Sequence, residues 1–184
     1  MHVVIDTIIF AVWAAFWIYW LLAASTGVKE GRTRWARFFG ARIVLILALI
    51  VVLRVKPFKG HLTTSDPWLE GIGLALFLLG LGLAVWARVY LGRNWGMPMT
   101  EKVDPELVTT GPYRKVRHPI YSGIILAMIG TTIAVSLYWL VALVVVGAYF
   151  IYSATAEERY LAERFPDTYP AYKRSTKMLI PFIF

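Results

Sequence analysis

Apolar residues run through this chain in long blocks, each flanked by clusters of Lys and Arg. The blocks fall at roughly Val3–Ala24, Phe39–Val55, Trp68–Leu91 and Pro119–Ala156. A helix needs about 20 apolar residues to cross a hydrocarbon core of ~30 Å. The first three blocks each predict one span. The fourth holds 38 residues without a charge, too many for one straight crossing. It predicts two spans joined by a tight turn near Ser136–Trp139. The expected fold class is all-α and integral to the membrane, with five transmembrane helices. The stretch AEERYLAERF, from Ala156 to Phe165, is rich in helix formers and extends the fifth span beyond the membrane as a cytoplasmic helix.

Charge sets the orientation. Lys29, Arg32, Arg34, Arg37 and Arg42 follow the first span, and Arg54, Lys56 and Lys59 the second. Arg93, Lys102, Arg114, Lys115 and Arg117 follow the third. The turn between the fourth and fifth spans has none, and the tail carries Arg159, Arg164, Lys173, Arg174 and Lys177. Rich loops alternate with poor ones, so the positive-inside rule puts the N-terminus outside and the C-terminus in the cytoplasm. A multi-pass protein of a cell (inner) membrane is the expectation. The N-terminal block carries Asp6, lacks a basic leader and is too long for a cleavable signal, so it reads as the first span.

Composition agrees. The 184 residues are 59% hydrophobic and 16% charged, against about half and a quarter in a soluble domain. Eight Trp and ten Tyr suit membrane–water boundaries. The length predicts one membrane domain over 1–184, in which residues 1–91 form three N-terminal spans and residues 92–184 the chemical half. The net charge of +8 sits in the loops, where anionic lipid rather than nucleic acid accounts for it. With no Cys, disulfides, thiolate metal sites and a Cys nucleophile are excluded. His2, His61 and His118 are too dispersed to predict a metal site. No nucleotide-binding glycine loop or GxSxG is present. Gly71, Gly73, Gly80 and Gly82 predict close packing of the third span.

Two polar segments meet on the cytoplasmic side, residues 92–118 and the tail from Glu157. In GPYRKVRHPIYSG (Gly111–Gly123), Pro119 suits the first position of a helix. Arg117, His118 and the first-turn amides would then form an anion site, or else anchor the helix end to headgroups. Glu157 and Glu158 fall where the last span leaves the membrane, and acidic groups at a helix C-terminal end ask for a nearby cation. Arg159 or Arg164 would supply it within the chain. Tyr113, Tyr121, Tyr160, Tyr169 and Tyr172 are available to wall a pocket.

The run LVTTGPYRKVRHPIYSG (Leu107–Gly123) resembles the signature of the isoprenylcysteine carboxyl methyltransferase and phospholipid methyltransferase families, small membrane enzymes that use S-adenosylmethionine. The tail is similar in order: Glu157–Glu158, then Phe165, Tyr169 and Tyr172, then Pro181–Phe182. LGRNW (Leu91–Trp95) also fits, so the resemblance covers about half of the chain. It implies a cofactor-binding loop closed by the tail. His118, Pro119, Tyr121 and Gly123 would line the cofactor pocket, with Leu107, Val108, Gly111 and Tyr113 contributing from the loop. Glu158 or Glu157 would meet the cofactor's amino group, and Arg117 would hold the motif or the cofactor carboxylate. Glu157, Glu158 and Arg117 are thereby the expected catalytic residues.

Two departures bear on the acceptor. Pro105 stands where relatives often carry His, and Tyr149–Ala156 lacks the basic residue found shortly before the acidic pair in eukaryotic prenylcysteine enzymes. The resemblance therefore implies methyl transfer to a lipophilic, membrane-embedded acceptor, either an isoprenylcysteine-like carboxylate or a lipid amine. The alternatives are an NADPH-dependent reductase of the sterol-reductase type and a non-catalytic lipid-binding membrane protein. The oligomeric state is left open.

Overall fold

A computed structural model describes residues 2–24, 66–94 and 106–184 of the chain. The described part is built from helices: α1 (His2–Ala24), α2 (Pro67–Leu91), α3 (Pro119–Ala134), α4 (Trp139–Arg164) and α5 (Tyr169–Ser175), with short 3-10 turns at Gly92–Asn94 and Gly111–Arg114. Three of these, α1, α2 and α4, are long and apolar enough to cross a membrane. The protein is thus an all-α membrane protein. The hairpin in the last apolar block falls where expected, between Ala134 and Trp139, and α4 continues to Arg164. At 16 residues α3 is shorter than a full crossing needs. The second predicted span, Phe39–Val55, lies outside the described residues.

Helix boundaries follow local chemistry. Asp66 caps α2: its carboxylate accepts from the Trp68 amide at 2.9 Å, with Pro67 at the first turn. At the other end Gly92 adopts a positive φ of 54°, and its amide reaches back to the Arg88 and Val89 carbonyls.

The centre of the fold is a close antiparallel pair, α2 and α3. Small residues repeat at seven-residue intervals on both helices: Gly73 and Gly80 on one, Gly123 and Gly130 on the other. A Cβ on Gly80 would collide with the backbone of Gly123 and Ala127, and one on Gly130 with that of Gly73 and Phe77. Backbones in direct contact maximise van der Waals packing where lipid removes the hydrophobic drive between helices. Gly71 and Gly82 face open space, so only half of the glycines expected to pack do so.

α1 runs parallel to α2. Trp13 packs on Phe77 with ring centroids 5.5 Å apart and donates from Nε1 to Thr131 Oγ1 on α3 at 3.0 Å. At the far end Arg88, buried in the last turn of α2, donates to the carbonyls of Gly92 at 3.2 Å and Ala23 at 3.0 Å. It thereby supplies donors to helix ends that lack them. The C-terminal ends of α1, α2 and α4 and the start of α3 consequently share one end of the bundle, and the polar segments gather there.

Candidate functional site

The segment before α3 and the tail are stitched together by backbone hydrogen bonds. Val116 and Lys177 form a parallel bridge. The Arg117 amide donates to the Lys177 carbonyl at 2.8 Å, and the His118 amide to Met178 at 3.1 Å. Ser122 Oγ donates to the Leu179 carbonyl at 2.6 Å. The tail's carbonyls thus take the Arg117 and His118 amides, which lie just before the first turn of α3. Pro119 opens α3 as expected, with His118 at its N-cap.

On this frame the acidic pair divides into two environments. Glu158 is buried and ringed by cations. Arg117 Nε lies 2.6 Å from its Oε1, and Lys173 Nζ lies 2.8 Å from Oε2. The Arg117 guanidinium also donates to the Thr176 carbonyl at 2.6 Å and to Lys173 at 3.2 Å. Glu157, 29% exposed, accepts from Tyr121 Oη at 3.2 Å and faces His118 Nδ1 at 3.3 Å. The cations expected within the chain, Arg159 and Arg164, are both exposed. Helix α4 turns them outward, and the charge on Glu158 is met instead from the segment before α3 and from α5.

His118 is buried between both carboxylates. Its Nε2 lies 3.5 Å from Glu158 Oε1, near enough for charge attraction but without a hydrogen bond. Burial opposes a charge on this ring, and the hydrogen bond and field of Glu157, with Glu158 behind it, more than offset that, so its pKa is raised. The His118 ring stacks on Tyr121 at 5.4 Å and 5°, and Tyr121 stacks on Phe150 of α4 at 4.6 Å and 8°. The result is a continuous aromatic wall running inward from the acidic pair.

Two further tyrosines close the outer side. Tyr172 Oη donates to the Tyr113 carbonyl at 2.7 Å, tying α5 to the 3-10 turn, and Tyr113 Oη donates to Ala87 at 3.3 Å. Burial, reinforced by Glu157, raises the Tyr113 phenol well above its ordinary range, so it stays protonated and donates. Burial likewise pushes Tyr172 up to about 12, although Arg117 acts against it. Tyr169 is fully buried, and its hydroxyl makes no hydrogen bond within the described residues.

The residues singled out from sequence thus separate. Arg117, His118, Tyr121, Glu157 and Glu158 converge. Gly123 faces α2, where a Cβ would meet Gly80 and Ala84. Gly111 holds a positive φ of 59° under the Tyr90 ring, a conformation and a clearance that favour glycine. Leu107 and Val108 are half-buried on the approach to that turn. The loop and the end of α2 are joined through Asn94 Oδ1, which accepts from the Glu106 amide at 3.1 Å. Lys173, Thr176 and Phe150 escaped the sequence reading. The signal for Lys173 was present in principle: a carboxylate buried as deeply as Glu158 demands more than one cation.

A family model described as phospholipid methyltransferase matches residues 69–168. Among relatives, methanethiol S-methyltransferase of a Pseudomonas species is 26% identical over 98% of this chain and 74% of its own length. Protein-S-isoprenylcysteine O-methyltransferase B of Arabidopsis thaliana is 29% identical over 78% of this chain and 74% of its own. Methanethiol S-methyltransferase 1 of Bradyrhizobium diazoefficiens is 37% identical, covering 82% of this chain and 59% of that protein.

Proposed function

The chain belongs to the phospholipid methyltransferase family, and on that premise we propose that it transfers a methyl group from S-adenosylmethionine to a lipophilic acceptor held in the bilayer. The observation that carries this reading is the convergence of Glu157, His118 and Tyr121 beside the buried Arg117–Glu158 pair.

The residues present fit the methyl donor. Glu157 is the accessible carboxylate and would receive the amino group. Tyr121, with His118 stacked on it, would offer an aromatic face to a positive sulfonium. Among the described residues the buried His118 Nε2 and Tyr169 hydroxyl make no hydrogen bond, which leaves both for a bound molecule. When bound, the donor supplies an electrophilic methyl group on a sulfonium. Arg117 is spent on Glu158 and on tail carbonyls, so we assign it to holding the motif rather than to grasping a carboxylate. Glu158 orders Arg117 and Lys173, and through them the tail.

The chain's own part in the reaction is alignment and exclusion of water. Phe150 and Tyr121 extend the apolar wall toward the spans, where an acceptor would enter sideways from lipid. A carboxylate acceptor needs no proton removed; an amine or thiol acceptor must lose one, and with Glu157 given to the donor's amino group and Glu158 to its cations neither is assigned that step. The halves are assigned accordingly, residues 92–184 to chemistry and 1–91 to spans, with the C-terminal end of the bundle facing the cytoplasm. Relatives named for methanethiol and for protein S-isoprenylcysteine frame the acceptor test. Purified protein in lipid discs is given methyl-labelled S-adenosylmethionine with a prenylcysteine, a lipid amine or a small thiol in turn. Label entering one class assigns the acceptor; label entering none refutes the reading.

A further inference from the structure

The last five residues form a closed turn that contributes nothing to the core. The amides of Leu179 and Ile180 both donate to a Phe184 carboxylate oxygen, and the Phe184 amide donates back to the Ile180 carbonyl. Phe182 sits at a φ of 68°, a region that a bulky aromatic residue rarely enters without compensation. The turn is thus held in a defined shape, and that shape turns apolar groups outward. Phe182 is 83% exposed and Ile183 76%, with Ile180 and Phe184 about half exposed.

The root of this turn is fixed at the start of α3. Leu179 is buried, and its carbonyl takes the Ser122 hydroxyl. Ser122 lies in the first turn of α3, at the end of the bundle where the apolar helices meet the polar segments. Its flank is basic: Lys115 Nζ lies 5.9 Å from the centre of the Phe182 ring, and Arg114, Arg174 and Lys177 are exposed nearby in sequence. From Thr168 to Phe184 no side chain is acidic, and the one anionic group, the Phe184 carboxylate, is held by the Leu179 and Ile180 amides.

We propose that the Ile180–Phe184 turn is an interfacial anchor that beds into the anionic headgroup layer of the bilayer the protein spans. Phe182 and Ile183 enter the acyl boundary, while Lys115 and Lys177 reach lipid phosphates. Apolar tips beside snorkelling lysines are the composition that such a layer binds. The anchor is continuous with the tail segment that holds Arg117 and His118, and it does not depend on the proposed reaction.

The chain contains no Cys, so a single introduced thiol labels one position only. A nitroxide is placed on Phe182→Cys and, separately, on Ile183→Cys, which leaves Phe182 intact should the first variant fold poorly. Asp167→Cys, exposed on the turn before α5, is the aqueous reference. Collision with oxygen and with a water-soluble nickel chelate is measured in phosphatidylcholine vesicles with and without phosphatidylglycerol. The proposal expects an oxygen-to-nickel ratio at both tail positions several-fold above that at position 167. It also expects that ratio to rise with phosphatidylglycerol and the rise to vanish in the K115E/K177E background. Tail labels as open to nickel as position 167, or a ratio indifferent to anionic lipid, would overturn it.

Discussion

Arg117 Nε and Glu158 Oε1 stand 2.6 Å apart, both nearly excluded from solvent, across 41 positions of sequence. The pair joins the segment before α3 to the outer end of α4. Through the Thr176 and Lys173 carbonyls on the same guanidinium it also fixes the tail. One side chain thereby holds three separate pieces of chain around the candidate site.

Removing one member of a buried pair strands the other. Arg117→Ala is expected to cost about 3–5 kcal/mol. Lys173 is half exposed where it meets Glu158, and Lys173→Met is expected to cost about 1 kcal/mol or less. Unfolding in detergent, followed by denaturant titration, separates the two. Equal losses would contradict the burial argument.

The stacked histidine makes stability depend on pH. Its folded pKa is raised above the ordinary 6.5, so the protonated form is the one the fold favours. That contribution is complete below 6.5 and is lost as pH rises through the folded value. The stability gap between wild type and His118→Gln, measured by thermal unfolding, should be widest in mild acid and narrow toward alkaline pH. A gap that widens with pH would show that the neutral ring is preferred.

Tyr172→Phe removes only the hydroxyl that holds α5 to the Tyr113 carbonyl. The expected loss is about 1 kcal/mol. Amide exchange should accelerate in α5 and the 3-10 turn before it changes in α2 or α3. Uniform acceleration throughout would mean that the tail is not a separately held unit.

The glycines of α2 test the close helix pair. Gly80→Ala drives a methyl into the α3 backbone and should cost at least about 1–3 kcal/mol. Gly71→Ala and Gly82→Ala meet open space and should be neutral or stabilising by up to about 1 kcal/mol. Thermal melts of the three variants decide whether the pair is the core of the fold.

The first, third and fifth spans were legible because long apolar blocks are a property of composition. Ser136–Trp139 was readable as a turn from length alone. The convergence of His118, Tyr121 and Glu157 was readable only through the order of motifs, since no periodicity links position 118 to 157. That the tail closes on the loop was readable through the resemblance alone, and the bonds that hold it there were not. The Val116–Lys177 bridge uses backbone groups that every residue carries, and Lys173 looks in sequence like any other tail cation. Glycine patterning was half informative, because Gly71, Gly73, Gly80 and Gly82 look alike until the neighbouring helix distinguishes the packed pair from the open one.

The central claim is that the end of the bundle holding Glu157, His118 and Tyr121 binds a methyl donor. Calorimetric titration of the full chain in lipid discs with S-adenosylhomocysteine, beside NADPH, tests it most directly. The account predicts saturable binding of the first alone, weakened at least about tenfold in Glu157→Gln, as loss of a charge-assisted hydrogen bond worth about 1.5–3 kcal/mol requires. Binding of NADPH alone, or equal affinity for S-adenosylhomocysteine in wild type and Glu157→Gln, would contradict it.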